Sequence, residues 1–149
     1  MKHGFIKAAA ASPMIRVADP DYNADQIMES VRAAHRKGVK VLVFPELTLT
    51  GCTCYDLYTQ RTLLDGAKRA LVKLLAATNG LDMLILVGLP YLQGTRLYSC
   101  AAALYAGGLL GLVPRTEVGG THFAAPDKTA REISIDGIYS TYLIPDTLF

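Results

Sequence analysis

The chain has 149 residues, 51% of them hydrophobic, so it can bury a core and is close to the commonest size of a single domain. Its formal net charge of +2 comes from charges scattered along the sequence, without the basic stripe of a nucleic-acid-binding protein. Three cysteines, an odd number, fit a reducing cytoplasm better than a secreted disulfide scaffold. The sequence has no evident signal peptide or membrane span, so we expect neither a nucleic-acid nor a membrane partner.

The first part of the chain predicts a strand, a helix and a second strand. Residues 4 to 11 are predicted to form a buried strand. Asn23 is predicted to cap the helix, with Gln26 completing a capping-box-like pair and Gly38 ending it. The second strand is predicted over residues 39 to 44. Because a helix separates the two strands in sequence, they are expected to be parallel.

The next segments continue the alternation. Apolar residues between 63 and 75 recur at helical spacing, and Asn79-Gly80 follows them as a stop. Residues 81 to 88 are predicted to form a third buried strand. An order of strand, helix, strand, helix and strand is typical of the α/β class.

The pattern then changes to a hairpin. Two apolar runs, residues 97 to 106 and 109 to 113, are joined by Gly107-Gly108, which predicts a two-residue turn. An antiparallel hairpin added to parallel strands makes the predicted sheet mixed. Two further short strands are predicted over residues 133 to 135 and 139 to 144.

Two charged residues stand at predicted strand ends. Glu46 follows the apolar second strand and Pro45, and ligands gather beyond the carboxyl ends of strands in open α/β sheets. Taken alone, Glu46 could equally cap a turn or pair with a lysine. Arg115 follows Val113-Pro114 at the end of the hairpin. Because an acid and a cation each follow a predicted strand and a proline, we expect the two side chains to belong to one site.

The segment from Phe44 to Cys54 resembles the first catalytic motif of the nitrilase (carbon-nitrogen hydrolase) superfamily, most of all in the glutaminase domains of glutamine-dependent NAD synthetases. Other segments are similar in order and spacing: 4–7, 16–19, 22–23, 87–90, 97–102 and 110–114. An ordered set of motifs is more specific than any one of them. The resemblance implies that residues 1 to 149 are the N-terminal portion of such a domain, part of an α-β-β-α sandwich with a mixed sheet.

The resemblance also implies a Glu-Lys-Cys triad that hydrolyses the side-chain amide of glutamine and passes ammonia to a synthetase domain. Carried over by position, Glu46 is the general base, and Arg115 stands where the family has the lysine that stabilises the oxyanion. Loss of one such donor typically costs about 3 kcal/mol. No cofactor or metal is expected in this domain, because ATP and Mg²⁺ would belong to the synthetase domain.

The chain departs from the family pattern in three respects, the first being that the family's further Glu and aromatic residues near the substrate are not recognisable in residues 117 to 123. Arginine replaces lysine at position 115, and a planar guanidinium is larger than an ammonium. No cysteine matches the family nucleophile. Use of Cys52 or Cys54 in its place is disfavoured, and so is a metal site of these two with His122, because the spacing of zinc ligands is missing. We therefore expect the isolated chain to show no glutaminase activity.

The sequence leaves two alternatives open. The chain could be a non-catalytic remnant or an assembly subunit, or it could belong to another amidase of the nitrilase superfamily. The expected partners are glutamine and either an NAD synthetase domain or further copies of the chain. Half of a sandwich would leave an apolar sheet face uncovered, which favours association.

Overall fold

The computed structural model describes residues 4–119, 122–127, 131–135, 137 and 139–143. Within them the regular elements are β1 Ala8–Ala10, α1 Pro20–Arg36, β2 Val41–Val43, α2 Arg61–Ala77, β3 Leu84–Gln93, β4 Arg96–Tyr105, β5 Gly108–Pro114, β6 Arg131–Ile135 and β7 Tyr139–Leu143. A 3₁₀ helix over Tyr55–Thr59 precedes α2. Among the described residues, neither of the two α-helices, α1 and α2, is long and apolar enough to cross a bilayer.

The N-cap of helix α1 lies four residues before the predicted one. Asp19 is the N-cap, and its side chain accepts a hydrogen bond from the backbone N–H three residues on, at 3.1 Å. Pro20 starts the first turn, where its fixed φ suits the helix and its missing N–H costs nothing. The predicted cap at Asn23 is therefore wrong, and Asn23 lies fully buried inside the helix. The predicted stop is confirmed, because Gly38 follows the helix with a φ of 72°.

The first three strands are parallel, as predicted. β1 pairs with β2, and β2 pairs with β3, in parallel register. The prediction of a long buried first strand is wrong, because β1 covers three residues and Ala8 and Ala10 are exposed. β1 is the edge strand of the sheet that the described residues form.

Strand β3 continues well past its predicted end at Gly88 and forms an unpredicted hairpin with β4. The two strands pair from Leu84 to Gln93, with a turn at Gly94-Thr95. The strand passes through Pro90, which lies opposite Ser99. The Ser99 carbonyl faces β5, so this pair is a non-hydrogen-bonded position of the β3–β4 ladder. A proline is tolerated there because no N–H is needed.

The second hairpin is confirmed with a shift of one residue in its turn. The turn residues are Ala106 and Gly107, with φ values of 49° and 82°, and Gly108 already belongs to β5. Two positive φ angles in a two-residue loop match the twist of the flanking strands. The turn was predicted one residue too late because an alanine, Ala106, occupies a positive-φ position that the sequence analysis assigned to glycine.

The sheet of the described residues has the order β1-β2-β3-β4-β5-β7-β6. β7 pairs in parallel with β5, and β6 pairs antiparallel with β7. The sheet is therefore mixed, as predicted. Both late strands are confirmed, except that Ile144 lies outside the described residues.

Both helices pack on one face of this sheet. Their apolar sides form a single core with every second strand residue, which includes Leu42, Ile85, Val87, Leu89, Ala102, Leu104 and Leu112. The alternate strand residues point to the opposite face, and several of them are exposed or half-buried: Val41, Val43, Leu84, Leu86, Ala101, Ala103 and Val113. We call this second surface the open face. The described residues thus form one helical layer on one sheet.

Candidate active site

A cleft lies on the open face at the carboxyl end of β2. Its volume is about 350 Å³, and Val43, Leu86, Ala101 and Val113 supply apolar walls. Its charged lining residues, among those the structure describes, are Glu46 and Arg115. An apolar cleft with a few convergent polar groups is the usual form of a small-molecule site.

Glu46 lies in a tight turn that remains bonded to β3. Before the turn, the N–H of Phe44 donates to the carbonyl of Leu86 at 2.9 Å. After the turn, the N–H of Leu49 donates to the carbonyl of Gly88 at 3.1 Å. Leu47 has a φ of 55°, a left-handed conformation that is uncommon for a side chain of this size. The surrounding bonds hold this strained turn in place.

Gly88 makes the close approach of this turn possible. A Cβ at Gly88 would lie 2.3 Å from the backbone nitrogen of Leu47 and 2.6 Å from the carbonyl oxygen of Pro45. Both are backbone atoms, which cannot move aside as the end of a side chain can. Only glycine at this position lets the Glu46 turn rest on β3.

Asn23 holds the far end of the same turn. Its side-chain amide donates to the carbonyl of Leu49 at 3.0 Å and to the carbonyl of Arg16 at 2.8 Å, and its oxygen accepts from the N–H of Arg16 at 2.7 Å. The amide thus joins α1, the loop before it and the Glu46 turn. A polar side chain that is fully buried is stable because all these bonds are made.

The structure brings the two predicted site residues together. The Glu46 Oε1 atom lies 3.3 Å from the Arg115 Nη1 atom. About half of each side chain is exposed, 48% for Glu46 and 44% for Arg115. The Ser99 hydroxyl donates to the same Glu46 Oε1 atom at 2.6 Å. The site therefore contains a carboxylate that accepts hydrogen bonds from a hydroxyl and from a cation.

The three cysteines occupy different surroundings. Cys100 lines the cleft wall but is 3% exposed, and burial raises the pKa of its thiol far above the usual range. Cys54 packs with Tyr58 and Leu47 in a separate cluster, where desolvation also raises its pKa. Both thiols are therefore protonated at neutral pH and are poor nucleophiles. Cys52 is exposed and is not among the residues that line the cleft.

The sequence placed Cys52, Cys54 and His122 among possible but disfavoured metal ligands. In the part of the chain that the structure describes, no three His, Cys, Asp or Glu side chains form a group that could hold a metal ion. His122 lines another cavity, together with Tyr58 and Phe123.

Sequence reasoning missed Ser99, Gly88 and Asn23. Ser99 interrupts an otherwise apolar strand, and a small polar residue in such a strand needs a partner, which was a usable signal. Gly88 is at the predicted end of a strand. In the sequence, a glycine there that permits close backbone approach cannot be distinguished from a turn glycine. Asn23 was assigned to a helix cap, a role that asparagine often has.

Comparison with known proteins shows the class of protein to which this chain belongs. The family model described as carbon-nitrogen hydrolase matches residues 7–122, and the chain belongs to this family.

Curated relatives that match the chain include glutamine-dependent NAD(+) synthetases. The glutamine-dependent NAD(+) synthetase of Mycobacterium tuberculosis is 36% identical over 115 residues, which are 77% of this chain and 17% of that protein. The glutamine-dependent NAD(+) synthetase of Aquifex aeolicus is 30% identical over 96 residues, 64% of this chain and 17% of the relative. The chain thus spans about a sixth of the length of these curated relatives.

Solved structures agree on the fold. A glutamine-dependent NAD(+) synthetase from Cytophaga hutchinsonii matches with a TM-score of 0.82 at 21% identity, over 91% of this chain and 25% of that one. An amidase from Nesterenkonia sp. matches with a TM-score of 0.69 at 20% identity, over 87% of this chain and 51% of the amidase. The predicted nitrilase-like fold is confirmed.

Proposed function

We propose that this chain supplies the general base and the oxyanion-stabilising cation of a glutamine amide hydrolase that serves NAD synthesis. The observation that carries the proposal is the 3.3 Å contact between Glu46 and Arg115 in an apolar cleft at the carboxyl end of β2. The names of the curated relatives supply the substrate class, since these proteins are glutamine-dependent NAD synthetases.

In the proposed reaction, Glu46 takes the proton of a cysteine thiol, and the thiolate attacks the carbon of the glutamine carboxamide. The resulting tetrahedral oxyanion is stabilised by a positive donor, the role assigned to Arg115. Glu46 returns the proton to the leaving nitrogen, ammonia departs, and a glutamyl thioester remains. Glu46 then activates a water molecule that releases glutamate and restores the thiol.

The nucleophile is proposed to come from residues outside this chain. Cys100 and Cys54 are buried with raised pKa values, and Cys52 does not line the cleft. We therefore expect the isolated 149-residue chain to release no glutamate from glutamine. ATP and Mg²⁺ are assigned to a partner synthetase domain, since no role in amide hydrolysis calls for them here.

The decisive test is a chimera. Residues 7–122 of this chain replace the matching segment of the Mycobacterium tuberculosis relative, and NAD formation is measured with glutamine or with ammonium as the nitrogen source. Glu46→Gln should lower the glutamine-dependent rate by at least about 100-fold, because the proton acceptor is lost. The ammonium-dependent rate should be unchanged.

The matched control is Glu29→Gln, which changes an exposed glutamate on α1 that is not among the residues lining the cleft. It should leave both rates unchanged. A chimera that uses glutamine equally well with Glu46→Gln would contradict the proposal. So would release of glutamate by the isolated chain when Glu46 is replaced by glutamine.

A second candidate is an amidase that acts on a small apolar amide. It is favoured by the apolar cleft walls, because Val43, Leu86 and Val113 offer no partner to the charged groups of an amino acid. Parallel assays of the chimera with aliphatic amides and with glutamine separate the two candidates by their kcat/KM ratio.

A further inference from the structure

Ser99 contacts both charged residues of the site. Its hydroxyl donates to Glu46 Oε1 at 2.6 Å, and its backbone carbonyl accepts from the N–H of Arg115 at 2.8 Å. We propose that Ser99 is a positioning residue that holds the carboxylate and the guanidinium in one arrangement. The proposal rests on the proposed function, in which Glu46 moves the proton.

The surroundings of Ser99 make it a rigid support. Ser99 is 2% exposed and belongs to β4, which has paired strands on both sides. Glu46, in contrast, is 48% exposed and has a long side chain with several rotamers. A hydroxyl fixed by the sheet can therefore order the carboxylate, while the reverse is not expected. A hydroxyl bonded to an ionised carboxylate at this distance is a strong, charge-assisted bond.

The contacts also distinguish the two carboxylate oxygens. Among the described residues, Ser99 and Arg115 both donate to Oε1. Both donors occupy Oε1, so Oε2 is the oxygen assigned to take the proton of the nucleophile. Ser99 acts through Glu46 and not on the substrate.

The geometry allows a test that separates positioning from general support. Ser99→Ala removes the hydroxyl but keeps the backbone carbonyl that binds the N–H of Arg115. The bond between β4 and β5 should persist, while the bond that orders Glu46 is lost. The expected result is faster hydrogen exchange at the Arg115 guanidinium and unchanged exchange at the Arg115 backbone amide.

The experiment measures hydrogen exchange by NMR at the Arg115 guanidinium Nη–H groups, which contact Glu46, and at the Arg115 backbone N–H, in the intact 149-residue chain. In Ser99→Ala the Glu46 carboxylate loses the bond that fixes it beside the guanidinium, so the Arg115 side-chain rate should rise about tenfold, while the backbone rate stays at its wild-type value. Ser99→Thr keeps the hydroxyl and should restore the slow side-chain exchange. If the alanine variant does not fold, Ser99→Cys retains the size with a weak donor and gives the same comparison.

The matched control is Thr141→Val, which removes another buried hydroxyl, one with no hydrogen-bond partner among the described residues. It should leave both Arg115 rates unchanged. The proposal is overturned if the side-chain rate does not rise in Ser99→Ala, if both Arg115 rates rise together, or if Thr141→Val has the same effect. The exchange measurement requires no turnover. A chimera without glutaminase activity would therefore contradict the proposed function, and the exchange rates would still test the role of Ser99.

Discussion

Two clusters of the same chemical composition lie at opposite ends of the central strands. At the carboxyl end of β2, Glu46 accepts from Ser99 and Arg115. At the other end, Asp82 pairs with Lys40 at 2.5 Å and accepts from the Tyr105 hydroxyl at 2.8 Å. Each cluster combines a carboxylate, a cation and a hydroxyl.

The clusters differ in what holds them. The hydroxyl of the Asp82 cluster belongs to a tyrosine that is 41% exposed, and the Asp82 side chain is 70% exposed. The hydroxyl of the Glu46 cluster is buried, and its carboxylate is carried by a turn fixed on β3. Composition alone therefore does not mark a site. A cleft and a rigid backbone distinguish the Glu46 cluster from a surface ion pair.

The largest effect is expected at Gly88, which supports only the Glu46 cluster. Gly88→Ala should lower the free energy of unfolding by about 2 to 4 kcal/mol, because the new methyl group collides with backbone atoms of the Glu46 turn. Urea unfolding measures the loss. Gly119→Ala is the control, since a Cβ there meets no described atom within 4 Å. Equal stability of the two variants would show that the turn is not held as described.

The next effect concerns the Asn23 amide, which has no counterpart in the Asp82 cluster. Asn23→Ala should cost about 2 to 3 kcal/mol, because it leaves buried backbone groups of Arg16 and Leu49 without partners. Native-state hydrogen exchange should rise at Leu49 and Gly51, at the end of the Glu46 turn. Ser30→Ala, a change in the same helix, is the control. Exchange that rises all along α1 and not in the turn would contradict this reading.

The open face gives a third contrast, because the Glu46 cleft lies on it. We expect the isolated chain to associate with itself through this apolar surface. Leu84→Lys, on the open face away from the cleft, should shift light scattering after size exclusion toward the monomer mass. Leu57→Lys changes a leucine that is 41% exposed in the 3₁₀ helix and should have no such effect. A wild-type chain that elutes as a monomer would refute the expectation.

The smallest effect is expected in the exposed cluster. Hydrogen bonds from Lys40 and Tyr105 lower the pKa of Asp82 below its ordinary 3.8. A carboxyl group with a lower pKa in the folded state stabilises the protein above its unfolded pKa, and the contribution is lost as the pH falls through the folded value. Asp82→Asn should therefore lower Tm slightly at neutral pH and leave it unchanged well below pH 3.8. A Tm difference that persists in acid would disprove the link to ionisation.

Much of the fold could be predicted from local pattern. The apolar periods gave both helices, the parallel strands and the β4–β5 hairpin, and the strand-end positions of Glu46 and Arg115 were visible in the sequence. The errors came where a single neighbour decided the outcome. The N-cap is Asp19 because Pro20 suits the first helical position, and Ala106 took a turn position assigned to glycine.

The sequence by itself determined the α/β class, the family and the two charged strand ends, because periodicity, turn residues and motif order are local properties. Tertiary structure alone decided that Ser99 joins those ends, since it is 53 residues from Glu46 in the chain and 16 from Arg115. Strand register sets which side chains meet, and register depends on the packing of the whole sheet. The same holds for Gly88, whose missing Cβ matters only because a distant turn rests on it.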